Sequence, residues 1–303
     1  MVMVAKKIQF LSVLTDAYKE FRKNDPLRMA GATSFFATFA LPAILIILIQ
    51  IFGVFVSPRY MTSQLMDNLG EMFGVNTARE LHRTLHNVRH LATTWWIAGG
   101  GFLFLIFVAT TLFKVIKDSL NQLWNIKVED HAGIVFNLLN RAKSFVAILL
   151  AGVLFMGVLL AEFLTDFSNQ TFLGAHYFSI SNLIRNMVAM LVVSLWFAVL
   201  FKYLPDGRPK WKIALGGGLL TGVMLILGKL LLQWLLTYSN MQTIYGASTS
   251  SVLLLLFVFY CSFIFYYGAC FTKALSDHLH QPIEAGRHAV KYKLSEIKQG
   301  KAG

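Results

Sequence analysis

Three histidines, His82, His86 and His90, recur every fourth residue, which on a helix sets three imidazoles in one row. A row of that kind can ligate zinc or respond to pH. No cysteine is near it, and Arg79, Arg83 and Arg89 would repel a cation, so the row is read first as a polar stripe facing solvent or headgroups. No metal or other cofactor is expected. A second group stands out by its apolar surroundings: Glu162, Asp166, Arg185, Lys229 and Gln233 all lie towards one end of apolar runs. A desolvated carboxylate or ammonium costs on the order of several kcal/mol unless paired, which favours Glu162 meeting Lys229 in an outer polar site. The open alternative is that each snorkels separately to the headgroups. Pro42 sits in the middle of another apolar run, where its missing N–H would free the carbonyl of Thr38 and mark a helix break. Gly216, Gly217 and Gly218 open a further run, and Gly218 with Gly222 forms G-x-x-x-G, a spacing that lets helix backbones pack closely in lipid.

These residues need elements to hold them, and composition says which kind. Of 303 residues, 56% are hydrophobic and only 14% charged, and the mean hydropathy is +0.60. A soluble domain carries about 25% charged residues, so this chain lacks the polar surface to clothe itself in water. Six apolar runs, 29–56, 95–113, 145–163, 187–201, 213–236 and 250–271, account for the excess. They are continuous rather than alternating, and helices satisfy their own backbone hydrogen bonds in lipid, so an all-α, polytopic bundle of about six transmembrane helices is expected. The fourth run is short, although Leu183 and Ile184 could extend it past Arg185.

Orientation follows from the basic residues between runs, because cytoplasmic loops retain Lys and Arg. Lys6, Lys7, Lys19, Arg22, Lys23 and Arg28 precede the first run, and Lys273, Arg287, Lys291, Lys293, Lys298 and Lys301 follow the last. Lys114, Lys117, Lys127, Arg141 and Lys143 lie in the second connection, and Lys202, Arg208, Lys210 and Lys212 in the fourth. The opposite side holds only Arg59, Arg79, Arg83, Arg89 and Arg185. Both termini are therefore expected in the cytoplasm, and the net charge of +12 is topogenic rather than a sign of nucleic-acid binding. Residues 1–28 form an amphipathic cytoplasmic segment: Phe10, Val13, Leu14, Ala17, Tyr18 and Phe21 recur at helical spacing opposite lysines that would meet anionic headgroups of the membrane lipids. Packing of that segment on the protein itself is an equal alternative. Residues 29–272 make the membrane domain and 273–303 a basic tail. The external stretch between the first two runs carries a capping box at Thr77-Ala78-Arg79-Glu80 and reads as helical. No cleavable signal peptide is expected, since the first apolar stretch is short and interrupted by Gln9 and Ser12.

With the runs placed, an ordered set of short motifs comes into view. It comprises Asp25 followed by Ala30 to Phe36 and Pro42, then Leu120-Asn121-Gln122-Leu123-Trp124, Tyr203-Leu204-Pro205, the glycines opening the fifth run, Tyr245-Gly246-Ala247, and Gly268-Ala269. In this order the chain resembles the YihY/BrkB family of bacterial inner-membrane proteins, formerly mislabelled as ribonuclease BN. It departs from the family at Cys270, where members commonly carry an acidic residue. The resemblance implies a multi-pass protein of the bacterial cytoplasmic membrane, associated with envelope lipids and virulence, and supplies no catalytic residues.

The expected function is a transporter or flippase-like protein for a lipid or other amphiphile, because the intramembrane polar inventory is sparse and the inner rim is basic. The alternative is a non-transporting scaffold, which could be a homo-oligomer built on its glycine faces. An enzyme is the least favoured class, since Asp130 and His131 stand almost alone on the inner side and make a poor nuclease centre. Topology can be read directly. Reporters fused between Tyr60 and Asn76 or at Thr243 should signal from the periplasm, and those after Asn125, Gly207 or Gly303 from the cytoplasm. A cytoplasmic signal at Thr243 would break the six-span arrangement.

Overall fold

A computed structural model describes residues 2–52, 63, 66, 79, 82–83, 95–128, 178–238, 249–286 and 289–293. Its elements, in chain order, are α1 (Val2–Lys23), α2 (Pro26–Phe52), α3 (Trp95–Leu123), β1 (Ile126–Val128), α4 (Phe178–Tyr203), β2 (Gly207–Arg208), α5 (Trp211–Tyr238), α6 (Thr249–His278), β3 (Glu284–Ala285) and β4 (Ala289–Lys291). The third expected run, residues 145–163, lies outside the described residues, as does most of the external stretch. By length and composition alone, Trp211–Gly228 and Ser251–His278 are apolar enough to cross a membrane among the described residues.

Helix ends depend on local chemistry more than on hydropathy. Between α1 and α2 the Asn24 amide donates back to the Glu20 carbonyl at 2.8 Å, Asp25 takes φ 50°, and Pro26 occupies the first position of α2. Short polar residues tolerate that left-handed geometry, and proline needs no N–H in a first turn. The break therefore falls at Asn24–Asp25, a few residues before the boundary after Arg28 expected from the apolar run. At the other extreme, α3 continues past Phe113 to Leu123. Its apolar run stops there, yet Leu112, Ile116, Leu120 and Leu123 keep helical spacing and stay in contact with the core. Likewise α4 begins at Phe178 and covers the Leu183–Ile184 extension.

Helix α6 is the common wall. It packs against α1, α2 and α5 and touches α3, while α4 leans on α5 and α3 on α2. Tyr266, Ala269, Cys270 and Thr272 of α6 are completely buried. The amphipathic helix α1 turns Val13, Ala17 and Phe21 onto this wall, with Phe21 edge-on to Phe263 at 4.7 Å and to Tyr267 at 5.5 Å. Phe10, Leu11 and Tyr18 remain exposed, so the apolar face expected to meet the membrane is shared between the protein and its surroundings. The segment expected as a basic tail also has structure. Its first residues continue α6 to His278, His280 takes φ 50° beyond the helix end, and the chain then pairs with two connections. Strand β4 runs antiparallel to β1 with Ile126 opposite Lys291, and β3 runs antiparallel to β2 with Arg208 opposite Glu284. The four short strands were not legible in the hydrophobic pattern.

Helices α5 and α6 approach through a reciprocal pair of contacts. A Cβ on Gly217 would run into the Thr272 hydroxyl, and one on Gly268 into the Thr221 hydroxyl. Each threonine hydroxyl is satisfied by the carbonyl four residues earlier, Thr221 to Gly217 and Thr272 to Gly268, both at 2.8 Å. Two G-x-x-x-T segments thus interlock head to tail. On the other side of α5, Gly218 lies against Ser194 and Ala198, and Gly222 against Ser194, while Gly216 faces Leu275 of α6. The expected close packing of Gly216, Gly217, Gly218 and Gly222 is accordingly spent inside the chain. By contrast, Gly100 and Gly31 meet nothing within 4 Å.

Gly217→Ala and Gly268→Ala should each destabilise the solubilised protein by about 1–3 kcal/mol through overpacking. Gly31→Ala should be close to neutral. Thr272→Ala should recover part of the Gly217→Ala loss in thermal unfolding; no recovery would mean that the clash lies elsewhere.

Candidate functional site

The added turns of α3 carry the strongest polar constellation among the described residues. Asn121 sits on the same face as Lys117, one turn further on, and meets the turn that follows α4. Its amide nitrogen donates to Oδ2 of Asp206 at 2.8 Å, and its amide oxygen accepts the Asp206 backbone N–H at 2.9 Å. Lys117 Nζ lies 2.9 Å from Oδ1 of the same carboxylate. The side chains of Lys117 and Asp206 are only 10% and 13% exposed. The Asp206 carbonyl in turn accepts the Gly286 N–H at 2.8 Å, which fastens the chain beyond α6 to the same point. Charge-assisted bonds to both carboxylate oxygens offset the desolvation that an isolated buried acid would suffer.

Three further bonds join this cluster to the bundle. Trp124 donates its indole N–H to the Ala269 carbonyl of α6 at 3.0 Å. The Tyr266 hydroxyl, fully buried, bonds Thr33 of α2 and Ser119 of α3. The turn itself is braced by Lys202, whose ammonium donates to the Pro209 carbonyl at 2.6 Å. Beside Lys117, burial pushes the Asp118 carboxyl above its ordinary range, a shift that Lys114 and Lys117 oppose. On the far side of α6, Lys273 pairs with Glu20 and His278 with Asp16, both at 3.0 Å. The bond from His278, aided by Lys19, holds the half-exposed Asp16 carboxyl below its usual value. That contribution to docking α1 is present above the ordinary carboxylate range and is lost as pH falls through the lowered one.

The residues singled out by spacing fare differently. Glu162, Asp166, His86 and His90 lie outside the described residues. Arg185 falls in α4, and Lys229 and Gln233 in α5, but their side chains are likewise outside the described set. His82 is exposed, and no group of three His, Cys, Asp or Glu among the described residues stands close enough to hold a metal ion. Helix α2 stays helical through Pro42, and the Thr38 hydroxyl bonds the Ser34 carbonyl one turn earlier at 2.8 Å. Thr33 and Ser34 are buried, in keeping with an inward place for this part of α2. The Lys117–Asn121–Asp206 cluster was not anticipated as a site. Its partners are 85 residues apart in sequence, and Lys117 counted only as a topogenic charge.

Several of the motifs noted in the sequence are joined directly, while Tyr245-Gly246-Ala247 lies outside the described residues. Asn121 of the Leu120–Trp124 motif holds the residue after Tyr203-Leu204-Pro205, Trp124 of the same motif reaches Ala269, and Thr33 reaches Tyr266. A family model described as virulence factor BrkB matches residues 17–293, which include every one of these contacts. The chain belongs to the BrkB family. Its similarity to individual relatives is modest. It is 28% identical over 261 residues to a UPF0761 membrane protein of Saccharophagus degradans, covering 86% of this chain and 58% of that protein. It is 23% identical over 265 residues to a UPF0761 membrane protein of Mannheimia succiniciproducens, covering 86% and 88%, and 22% identical over 268 residues to one of Haemophilus influenzae, covering 88% and 96%. The chain spans about three-fifths of the length of several curated relatives it matches. No solved structure matches. BrkB relatives carry the name of membrane proteins, and the apolar helices α5 and α6 accord with that.

Breaking the ion pair from one side leaves a buried charge. Lys117→Met should therefore destabilise by roughly 3–5 kcal/mol, whereas Lys117→Met with Asp206→Asn should recover most of the loss. Thermal unfolding in mild detergent measures both, and equal damage in the single and double variants would deny the coupling.

Proposed function

We propose that this BrkB-family chain is a multi-pass protein of the bacterial cytoplasmic membrane, with both termini inside, that moves a lipid or other amphiphile across the bilayer. The observation that carries this reading is the nearly buried Lys117–Asn121–Asp206 cluster at one end of an otherwise apolar bundle. Packing alone gives no reason for it, because a well-packed apolar group would serve a static bundle at least as well. Charges in such surroundings are functional candidates by default.

Its position suggests the role. The cluster ties α3 to the α4–α5 turn and, through Trp124, to α6. Parting those elements on the basic side would break the bonds at Asp206 and release the Lys117 ammonium towards an entering anionic group. Outside the bundle, Phe35 and Phe39 of α2 and Leu103, Phe104 and Phe107 of α3 are exposed and apolar, a surface suited to lipid contact. The basic residues of the connections would raise the local concentration of anionic headgroups at that end.

The test is reconstitution of the purified protein into vesicles that contain fluorescent phospholipids or glycolipids, with headgroup exposure followed over time. Acceleration over empty vesicles is expected for at least one anionic species, and Asp206→Asn should change the rate several-fold. No acceleration with any lipid class would leave the scaffold alternative as the better account.

A further inference from the structure

The exposed faces of α4 and α5 end at the same level. On α4, Met187, Leu191 and Leu195 are exposed at intervals of four residues, and Tyr203 is exposed at the last position of the helix. On α5 the exposed stripe starts at Trp211 and continues through Leu215, Leu219 and Leu227. The two helices pack side by side and are joined by the short turn between Tyr203 and Trp211. There Tyr203 at the end of α4 meets Trp211 at the start of α5, edge to face, with ring centroids 5.9 Å apart. Tyr203 is 62% exposed and Trp211 43%. Tyrosine and tryptophan are the side chains that sit with an apolar body in lipid and a polar tip in the headgroup layer.

Arg208 and Lys210 lie in the turn between the two rings and Lys212 directly follows Trp211 in the first turn of α5, all three exposed. No salt bridge joins any of the three to an acid among the described residues. The acid within the turn, Asp206, is already engaged by Lys117 and Asn121, which leaves Glu284, opposite Arg208 in the β2–β3 pair, as the facing carboxylate. The turn is not a loose loop. Leu204, Pro205, Gly207 and Pro209 are buried, and the Lys202 bond to Pro209 closes it.

We propose that this turn is a docking site for anionic phospholipid. Tyr203 and Trp211 mark the hydrocarbon boundary, and Arg208, Lys210 and Lys212 hold headgroup phosphates. The site rests on the membrane reading above but not on transport.

The experiment uses the purified full chain in mild detergent, supplied with phosphatidylglycerol, phosphatidylcholine, inorganic phosphate or a short RNA. Native mass spectrometry counts retained lipid, and thermal unfolding reports stabilisation. Phosphatidylglycerol should be retained in preference to phosphatidylcholine. R208Q/K210Q/K212Q should reduce that preference on the order of tenfold or more, given about fivefold per charge at an anionic surface. Each single substitution should reduce it a few-fold without lowering the lipid-free melting temperature, so a poorly folding triple variant still leaves a readout. An undiminished preference in the single variants would overturn the site, as would equal stabilisation by phosphate or RNA. Lipid preference that is lost in the variants of a chain whose unsubstituted form flips no lipid supports this site and counts against the transport reading alone. A chain that stayed monodisperse without detergent would sink the membrane reading itself.

Discussion

The distance between α5 and α6 governs the rest of the molecule. Hydrophobic burial does little to hold helices together when the surroundings are as apolar as their side chains, and contact must come from close approach and internal hydrogen bonds. Here Gly217 and Gly268 each make room for a threonine of the other helix, and each threonine keeps its own hydroxyl satisfied within its helix. Neither threonine hydroxyl is orphaned by the approach. Because α6 is also the wall for α1 and α2, and α5 the support for α4, the placement of three other helices follows from this one separation.

At one end of that frame the bundle is fastened by polar bonds as well as apolar packing. Asn121 bonds both the side chain and the backbone of Asp206, Lys117 neutralises the carboxylate, and Gly286 closes on its carbonyl. The turn that carries Asp206 is tight: a Cβ at Gly207 would collide with Ile126, Trp124 and Ile283. The chain beyond α6 thus touches both the connection after α3 and the turn after α4, as strands β4 and β3. A bundle held in this way has a firm end whose release needs several specific bonds to break together. This is the physical content of the proposed gating role.

The two ends of the chain meet the frame by different means. Helix α1 is docked by aromatic edge-to-face contacts and two ion pairs, Glu20 with Lys273 and Asp16 with His278. The second pair is solvent-facing and weakens as acid titrates Asp16. The stretch beyond His278 is held by backbone pairing, which depends little on side-chain charge.

The sequence by itself determined the membrane class, the helical content and the family. These follow from summed quantities: apolar run length, the scarcity of charge, and the order of short motifs along the chain. It also indicated that glycines would mark close packing, because the absence of a Cβ has one main use in an apolar helix. Only the tertiary structure decided which partners those glycines meet, where α3 ends and what Asp206 is for. Lys117 and Asp206 are far apart in the chain, and no local pattern distinguishes a lysine that faces the cytoplasm from one that turns inward to a carboxylate. Run length likewise cannot see the amphipathic turns after Phe113, where the core face persists while mean hydropathy falls. Hydropathy is a local average, whereas an ion pair is a property of two places that only the fold brings together.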